Sequence, residues 1–420
     1  MDDKDNYLGL LITKTKNKYY ILKQIGEGAT SFVFLAIDKD KKEYAVKLYK
    51  NIESYFNETS RLRNIVTTKN IVKLISFGQG NLERGYSYYS HKLFNHFGNE
   101  QVNYGLFEYL KNGELFHYVF TIKKKFSEEI SRKIFYDIVK AVECCHKSGI
   151  SHGDIKLENI LLNSNFNIKL IDFGFAKFIK EGLISDIAGT KYYNAPEMFF
   201  CATKGYDGTL ADVFSLGVVL FILVMGFYPF EKPNITDNRY KFISKKDYSG
   251  FWKKCEQKMG ALKMDTKISS EFKDLVEKMI CYKPKERINL ENIKYHPWLV
   301  GLTESYALDD EKANNGNNCD NSSDSEKYFS PKKSKKKNSS HNPSFYKKNN
   351  DCLKIISNNS DGFEHVHINE KNLLNIQKQQ KNGPNMKNEL KELESLYIKE
   401  LSLRKIEIEK YLKEQDDEGE

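Results

Sequence analysis

Asp154, Lys156, Asn159 and Asp172 stand in the order and spacing that phosphoryl transfer from a magnesium nucleotide requires. They lie in the run Ser151-His152-Gly153-Asp154-Ile155-Lys156-Leu157-Glu158-Asn159 and in the turn Ile171-Asp172-Phe173-Gly174. Asp154 has the chemistry to accept the proton of an acceptor hydroxyl. Asn159 and Asp172 offer the hard oxygens that Mg²⁺ prefers, and Lys156 can neutralise charge on the transferring group. A single cluster of this kind arises by chance, so the elements around it decide whether the chemistry has a frame.

Upstream, a strand over Tyr19-Tyr20-Ile21-Leu22-Lys23-Gln24-Ile25 leads into Gly26-Glu27-Gly28-Ala29-Thr30-Ser31-Phe32-Val33. Glycines let backbone amides approach phosphate oxygens without a Cβ in the way, although two glycines in a turn also make an ordinary hairpin. The next strand, Glu43-Tyr44-Ala45-Val46-Lys47-Leu48, puts Lys47 on the face opposite its alternating apolar residues. A lone lysine on a strand is ordinarily a solvated charge, but one that follows a glycine turn is better read as a phosphate ligand. Lys47 then needs a carboxylate to hold it. The stretch from Asn57 to Val66 reads as a helix with Leu62, Ile65 and Val66 on its inner face. That helix offers Glu58 as the partner, with Glu53 as the alternative.

Downstream come Gly189-Thr190-Lys191-Tyr192-Tyr193-Asn194-Ala195-Pro196-Glu197, then Asp212-Val213-Phe214-Ser215-Leu216-Gly217, then Arg287 and His296-Pro297-Trp298. In this order, from Tyr19 to about Val300, the set resembles the eukaryotic protein kinases. Lys156 two places after Asp154, together with Gly189-Thr190, resembles the serine/threonine type. Gly113-Glu114-Leu115-Phe116 and Met225-Gly226-Phe227-Tyr228-Pro229-Phe230 are most similar to the calmodulin-dependent-kinase-like members.

The resemblance implies an α+β, two-lobed protein kinase fold, with a small β-rich N-lobe and a larger helical C-lobe. ATP and Mg²⁺ would be the cofactors. The base would sit between Val33 and Ala45 above and Leu161 below, with Ile25 and Ser31 also at the nucleotide. Phe107 would gate the back pocket, and Glu108 to Leu110 would form the hinge. Gly26 and Gly28 would cover the phosphates, and Lys47 would hold them, positioned by Glu58. Asn159 and Asp172 would take the metal, and Asp154, Lys156 and Thr190 would serve the transfer. Glu197 and Arg287 would form a salt bridge, and Asp212 would brace the catalytic loop from below. Ser31 replaces the third glycine of the usual loop, at a cost in flexibility rather than chemistry.

The departures concern regulation. Gly153 stands where most such kinases have an arginine that captures a phosphorylated activation-segment residue, and Asp186 stands where relatives have the regulatory threonine. Together they imply activity that does not wait for phosphorylation there. Glu114 matches a position that holds an arginine three residues before the acceptor. Ile222 stands where some basophilic kinases have a second acid. A catalytically silent scaffold is the alternative function, opposed by the presence of Lys47, Asp154, Asn159 and Asp172.

The chain has 420 residues, 40% hydrophobic and 13% aromatic, enough for two packed lobes. The domains read as an N-terminal extension 1–18, a kinase domain 19–302, a Lys/Asn/Ser-rich disordered linker 303–387, an amphipathic or coiled-coil helix 388–415 and an acidic tail 416–420. Leu390, Leu393, Tyr397, Leu401, Ile408 and Tyr411 can share one face of that helix, with Arg404 interrupting the seam; the helix would self-associate, dock on the domain or stand solvated on its own. Extra length between Phe77 and Tyr104 reads as a hairpin and loop insertion. Seven cysteines without a Cys-x-x-Cys spacing read as core thiols of a reducing compartment. The net charge of +9 comes without a nucleic-acid motif, so protein substrates are the expected partners and nucleic acid is not. Leu8 to Ile12 is too short for a membrane span or signal segment. A cytoplasmic location follows, and the basic cluster Pro331 to Lys337 reads first as solvated linker and second as a nuclear-import signal, with an anionic-surface patch as the other alternative.

Overall fold

The computed structural model of the chain describes residues 8–66, 68–85, 97, 101–120, 126–186, 189–200, 204–264 and 267–299. The linker, the 388–415 helix, the acidic tail, the basic cluster, and Tyr86 to Tyr89 with His91 lie outside the described residues.

The first part is a single sheet of β1 (Gly9–Thr13), β2 (Lys18–Glu27), β3 (Ser31–Ile37), β4 (Glu43–Tyr49), β5 (Leu74–Arg84) and β6 (Gln101–Glu108). The order β1-β2-β3-β4-β6-β5 closes into a barrel, because β1 pairs with both β2 and β5. Residues 9–13, read as part of an N-terminal extension, therefore pair into the sheet. The cause is apolar: Leu11 is fully buried and joins Ile21, Val46, Leu48 and Leu106 in the barrel core. The extra length after Phe77 has a matching role. It carries β5 on to Arg84, where Gly9 pairs with it.

Helix α1 (Ile52–Asn64) crosses this sheet. It starts five residues before the sequence reading placed it, because the Asn51 side chain caps the helix by accepting the Ser54 amide at 2.8 Å. It also ends sooner. Ile65 is already extended and Val66 is 70% exposed, so Val66 is not on the inner face. The buried face is Tyr55, Glu58, Thr59, Arg61 and Leu62, which turns Glu58 inward toward β4.

The second part is helical. After α2 (Leu115–Phe120) comes α3 (Glu128–Lys147), capped by Ser127, whose hydroxyl accepts the Ile130 amide. Short strands β7 (Ile150–Ser151), β8 (Ile160–Leu162), β9 (Ile168–Leu170) and β10 (Lys177–Phe178) pair as β8 with β9 and β7 with β10. The β8–β9 hairpin and the β7–β10 pair flank the catalytic turn. The central helix α4 (Gly208–Met225) is long and apolar enough to cross a membrane, yet it is the buried core of this lobe, with every residue from Ala211 to Met225 buried. Around it pack α5 (Tyr240–Ser244), α6 (Tyr248–Ala261), α7 (Ser270–Met279) and α8 (Leu290–Ile293). Glu128 locks the far end: its carboxylate accepts from the Ser269 hydroxyl and amide and from the Trp298 indole at 2.6 to 2.9 Å. Cys145, Cys255 and Cys281 are buried free thiols.

Candidate active site

A cleft of about 270 Å³ opens between the sheet and the helices. The upper wall carries Ile25, Gly26, Gly28, Ser31, Val33, Ala45, Lys47 and Glu58, and the floor and back carry Phe107, Glu108, Leu110, Leu161 and Asp172. The residues that the resemblance put around the nucleotide thus face one space, joined by Asp172 from the metal pair. Tyr109 lines it with the rest of the hinge, and four more line it without having been read as such: Glu27, Val72, Glu114 and Ile171. Val72 and Ile171 lie on segments whose contact with the cleft depends on pairing across the chain, as in the bond from the Val72 amide to the Leu170 carbonyl.

The strand β4 positions Lys47 by alternation. Tyr44, Val46 and Leu48 enter the barrel core, so Ala45 and Lys47 face the cleft. Lys47 Nζ lies 2.6 Å from Glu58 and 3.0 Å from Asp172, and Glu58 rather than Glu53 is therefore its helix partner. Burial pulls the Lys47 ammonium toward neutrality, but the Asp172 and Glu58 carboxylates outweigh it and hold its pKa above the ordinary lysine value. Burial likewise pushes Asp172 up, and the Lys47 charge reverses this, leaving its carboxyl below the ordinary range. Asp172 has a left-handed backbone, φ +62°. A non-glycine residue is rarely held there.

Around Asp154 three side chains converge. Lys156 Nζ stands 2.7 Å from Asp154 Oδ2, and the Thr190 hydroxyl donates to Oδ1 at 2.9 Å while accepting from Lys156 at 2.8 Å. The Asn159 amide donates to the Asp154 backbone and carboxylate at 2.9 and 3.0 Å. With its nitrogen engaged there, Asn159 keeps its carbonyl oxygen for other work.

Ser31 costs the glycine turn little strain, because it opens β3 in register with Tyr49 and is not among the residues with positive φ. The hinge is tied from below: Glu108 accepts the Lys73 amide at 2.8 Å and pairs with Lys169 at 2.7 Å. Glu158 is the acidic residue the sequence reading passed over. It is largely buried, one carboxylate oxygen has no hydrogen-bond partner among the described residues, and Glu114 is close enough to repel it. Burial pushes both carboxyls up, against the pull of Lys156.

Among the described residues no group of three or more His, Cys, Asp or Glu side chains could hold a metal ion by itself. A carboxylate and a carboxamide, Asp172 and Asn159, are a fitting pair for Mg²⁺, which keeps several of its positions for phosphate oxygens and water.

Residues 19–299 match the family model described as the protein kinase domain. The chain belongs to this family. It is 35% identical over 230 residues to CBL-interacting protein kinase 11 of Oryza sativa subsp. japonica, a match that covers 54% of this chain and 42% of that protein. It is 33% identical over 285 residues to serine/threonine-protein kinase SIK2 of Gallus gallus, covering 67% of this chain and 32% of that one. CBL-interacting serine/threonine-protein kinase 2 of Arabidopsis thaliana is 38% identical over 199 residues, covering 46% and 40%. The chain thus spans about a third to two-fifths of the length of these curated relatives.

Proposed function

We propose that the chain is a serine/threonine protein kinase that transfers the γ-phosphoryl group of ATP to Ser and Thr hydroxyls of proteins. The observation that carries this reading is Lys47 bridging Glu58 and Asp172, at 2.6 and 3.0 Å, above an Asp154 already gripped by Lys156 and Thr190. A silent scaffold needs none of these charges, and burying them is costly unless they are used.

In this reading Lys47 holds the α and β phosphates, and Asp172 and Asn159 hold the metal. Mg²⁺, when bound, neutralises charge on the phosphate oxygens. Asp154 orients the acceptor hydroxyl and takes its proton, while Lys156 offsets the charge that develops on the transferring oxygens. Thr190 keeps both in register. The carboxylate of Glu114, with Glu158 beside it, favours a basic residue three before the acceptor. Ile222 is fully buried and offers no charge to a second basic residue.

The reading extends to regulation. Gly153 adopts φ +78°, and a Cβ there would meet the Phe175 carbonyl oxygen at 2.8 Å. Asp186 pairs with Lys177 at 3.2 Å without a phosphate. Both support activity that does not depend on phosphorylation of the activation segment. The spacing of Leu390, Leu393, Tyr397, Leu401, Ile408 and Tyr411 in the sequence supports self-association, to be read from the mass in solution.

The test is MgATP-dependent labelling of a serine peptide with arginine three before the acceptor, beside its threonine and tyrosine counterparts. Serine and threonine peptides should be labelled and tyrosine should not. A folded protein that binds MgADP yet labels none of the three overturns the reading.

A further inference from the structure

We propose that Lys50 is a positioning residue for the nucleotide phosphates, acting through the glycine-rich turn; the inference rests on the kinase reading and goes beyond it. Lys50 is one residue past β4 and three past Lys47. Its backbone amide donates to the Thr30 carbonyl at 2.8 Å and its Nζ donates to the Gly28 carbonyl at 2.9 Å. The same ammonium stands 4.2 Å from the centre of the Phe32 ring. Phe32 is itself held, with Phe97 of the inserted segment edge-on at 5.8 Å.

The side of the grip gives it meaning. Ser31 and Val33 face the cleft, so alternation turns Phe32 to the opposite face, and Lys50 holds the turn from there. No peptide bond of the described chain is cis. In a trans peptide the carbonyl and the following amide point in opposite directions. With the Gly28 carbonyl drawn toward Lys50, the Ala29 amide is directed to the cleft side, where a phosphate oxygen would meet it. The amide of Gly28 is used to close the turn, by donating to the Ser31 carbonyl at 2.9 Å.

Residues 27 to 30 are exposed and include a glycine, so without the grip the turn would sample many orientations. Ordering it would then subtract from nucleotide affinity. Lys50 removes that cost before the nucleotide arrives, with one charged donor serving a carbonyl and an aromatic face together.

The experiment compares Lys50→Met, which keeps the aliphatic stem, with Lys50→Arg, which restores a charged donor. Calorimetry of MgADP binding is read beside KM for MgATP, KM for peptide, kcat and the melting temperature. Lys50→Met should weaken MgADP and raise KM for MgATP roughly tenfold, the size of one hydrogen bond to a charged group. Peptide KM, kcat and melting temperature should stay within about twofold or a degree or two, and Lys50→Arg should recover most of the affinity. Unchanged MgADP affinity in Lys50→Met overturns the inference, as does a uniform loss in every parameter with a lowered melting temperature. Because calorimetry needs no turnover, an inactive wild type would sink the kinase reading while leaving the grip on the turn measurable.

Discussion

The buried carboxylate of Asp212 accepts the backbone amide of Gly153 at 2.9 Å. Its other oxygen accepts the His152 amide at 2.8 Å and stands 2.8 Å from His146 Nε2. The turn before Asp154 is therefore fixed from α4 beneath it, with no side chain needed at position 153. Lys177 and Asp186 add only an exposed ion pair, with Asp186 74% exposed, and such pairs contribute about 0 to 1 kcal/mol.

From this follows the expectation for regulation. Protein made in bacteria and treated with phosphatase should keep its activity, and Asp186→Ala should reduce kcat by no more than a few-fold, about the value of an exposed pair. A large loss on dephosphorylation that an upstream kinase restores would show that a phosphate, not Asp186, holds the segment.

Asp172→Asn should abolish phosphoryl transfer, by more than about a hundredfold in kcat, because an amide cannot supply the charge the metal requires. The fold should persist, since the asparagine oxygen can still accept from Lys47. Kinase assays beside a thermal melt read both; substantial turnover in the folded variant would mean that the metal site lies elsewhere.

Arg287 donates to both oxygens of Glu197 at 2.6 Å, and also to the carbonyls of Leu210 and Cys281. Its guanidinium has no exposed surface. Arg287→Ala leaves a mostly buried carboxylate alone, and should cost about 3 to 5 kcal/mol of stability. Denaturant unfolding checks this. A loss below about 1 kcal/mol would place the pair with the surface ones.

Burial raises the carboxyls of Glu114 and Glu158, so both keep their protons to a higher pH than ordinary glutamates do. A protonated carboxyl does not attract arginine. KM for a peptide with arginine three before the acceptor should therefore rise on acidification, starting at a higher pH than a glutamate of ordinary pKa, about 4.3, would allow. A matched alanine peptide should not show this rise, and Glu114→Ala should shrink the difference between the two. Equal pH profiles for both peptides would remove Glu114 from substrate choice. The same sign makes these two groups subtract from stability as pH rises through their folded values, since the unfolded chain has by then released its protons.

Much of the site was legible because its chemistry is written contiguously. Asp154, Lys156 and Asn159 fall within six residues and Asp172 lies one hairpin on, so the local chain alone fixes their separation. Glu58 was legible from spacing, although the Asn51 cap that starts its helix was overlooked, and with it the true inner face. Lys50 and Gly28 are far apart in the chain and meet only through the register of β3 with β4. Their contact is a matter of sheet geometry, and no periodicity reports it. The strand Gly9–Thr13 was missed for the same reason: five residues carry little pattern of their own, and its partners lie at Lys18 and beyond and at Gly80 to Arg84.

That strand also decides how the sheet meets other chains. An open sheet offers a row of unpaired amides and carbonyls to any extended segment in solution, which is how strands from separate molecules add to one another and aggregates begin. Here both would-be borders, β2 and β5, are already occupied by β1. Along Lys18 to Ile21 and Gly80 to Arg84 the barrel therefore offers no edge for recruitment, and a partner that binds there must do so through side chains. A fragment cut at Tyr19 would uncover two borders at once, along with the pocket left by Leu11, and would be prone to stick to its own copies.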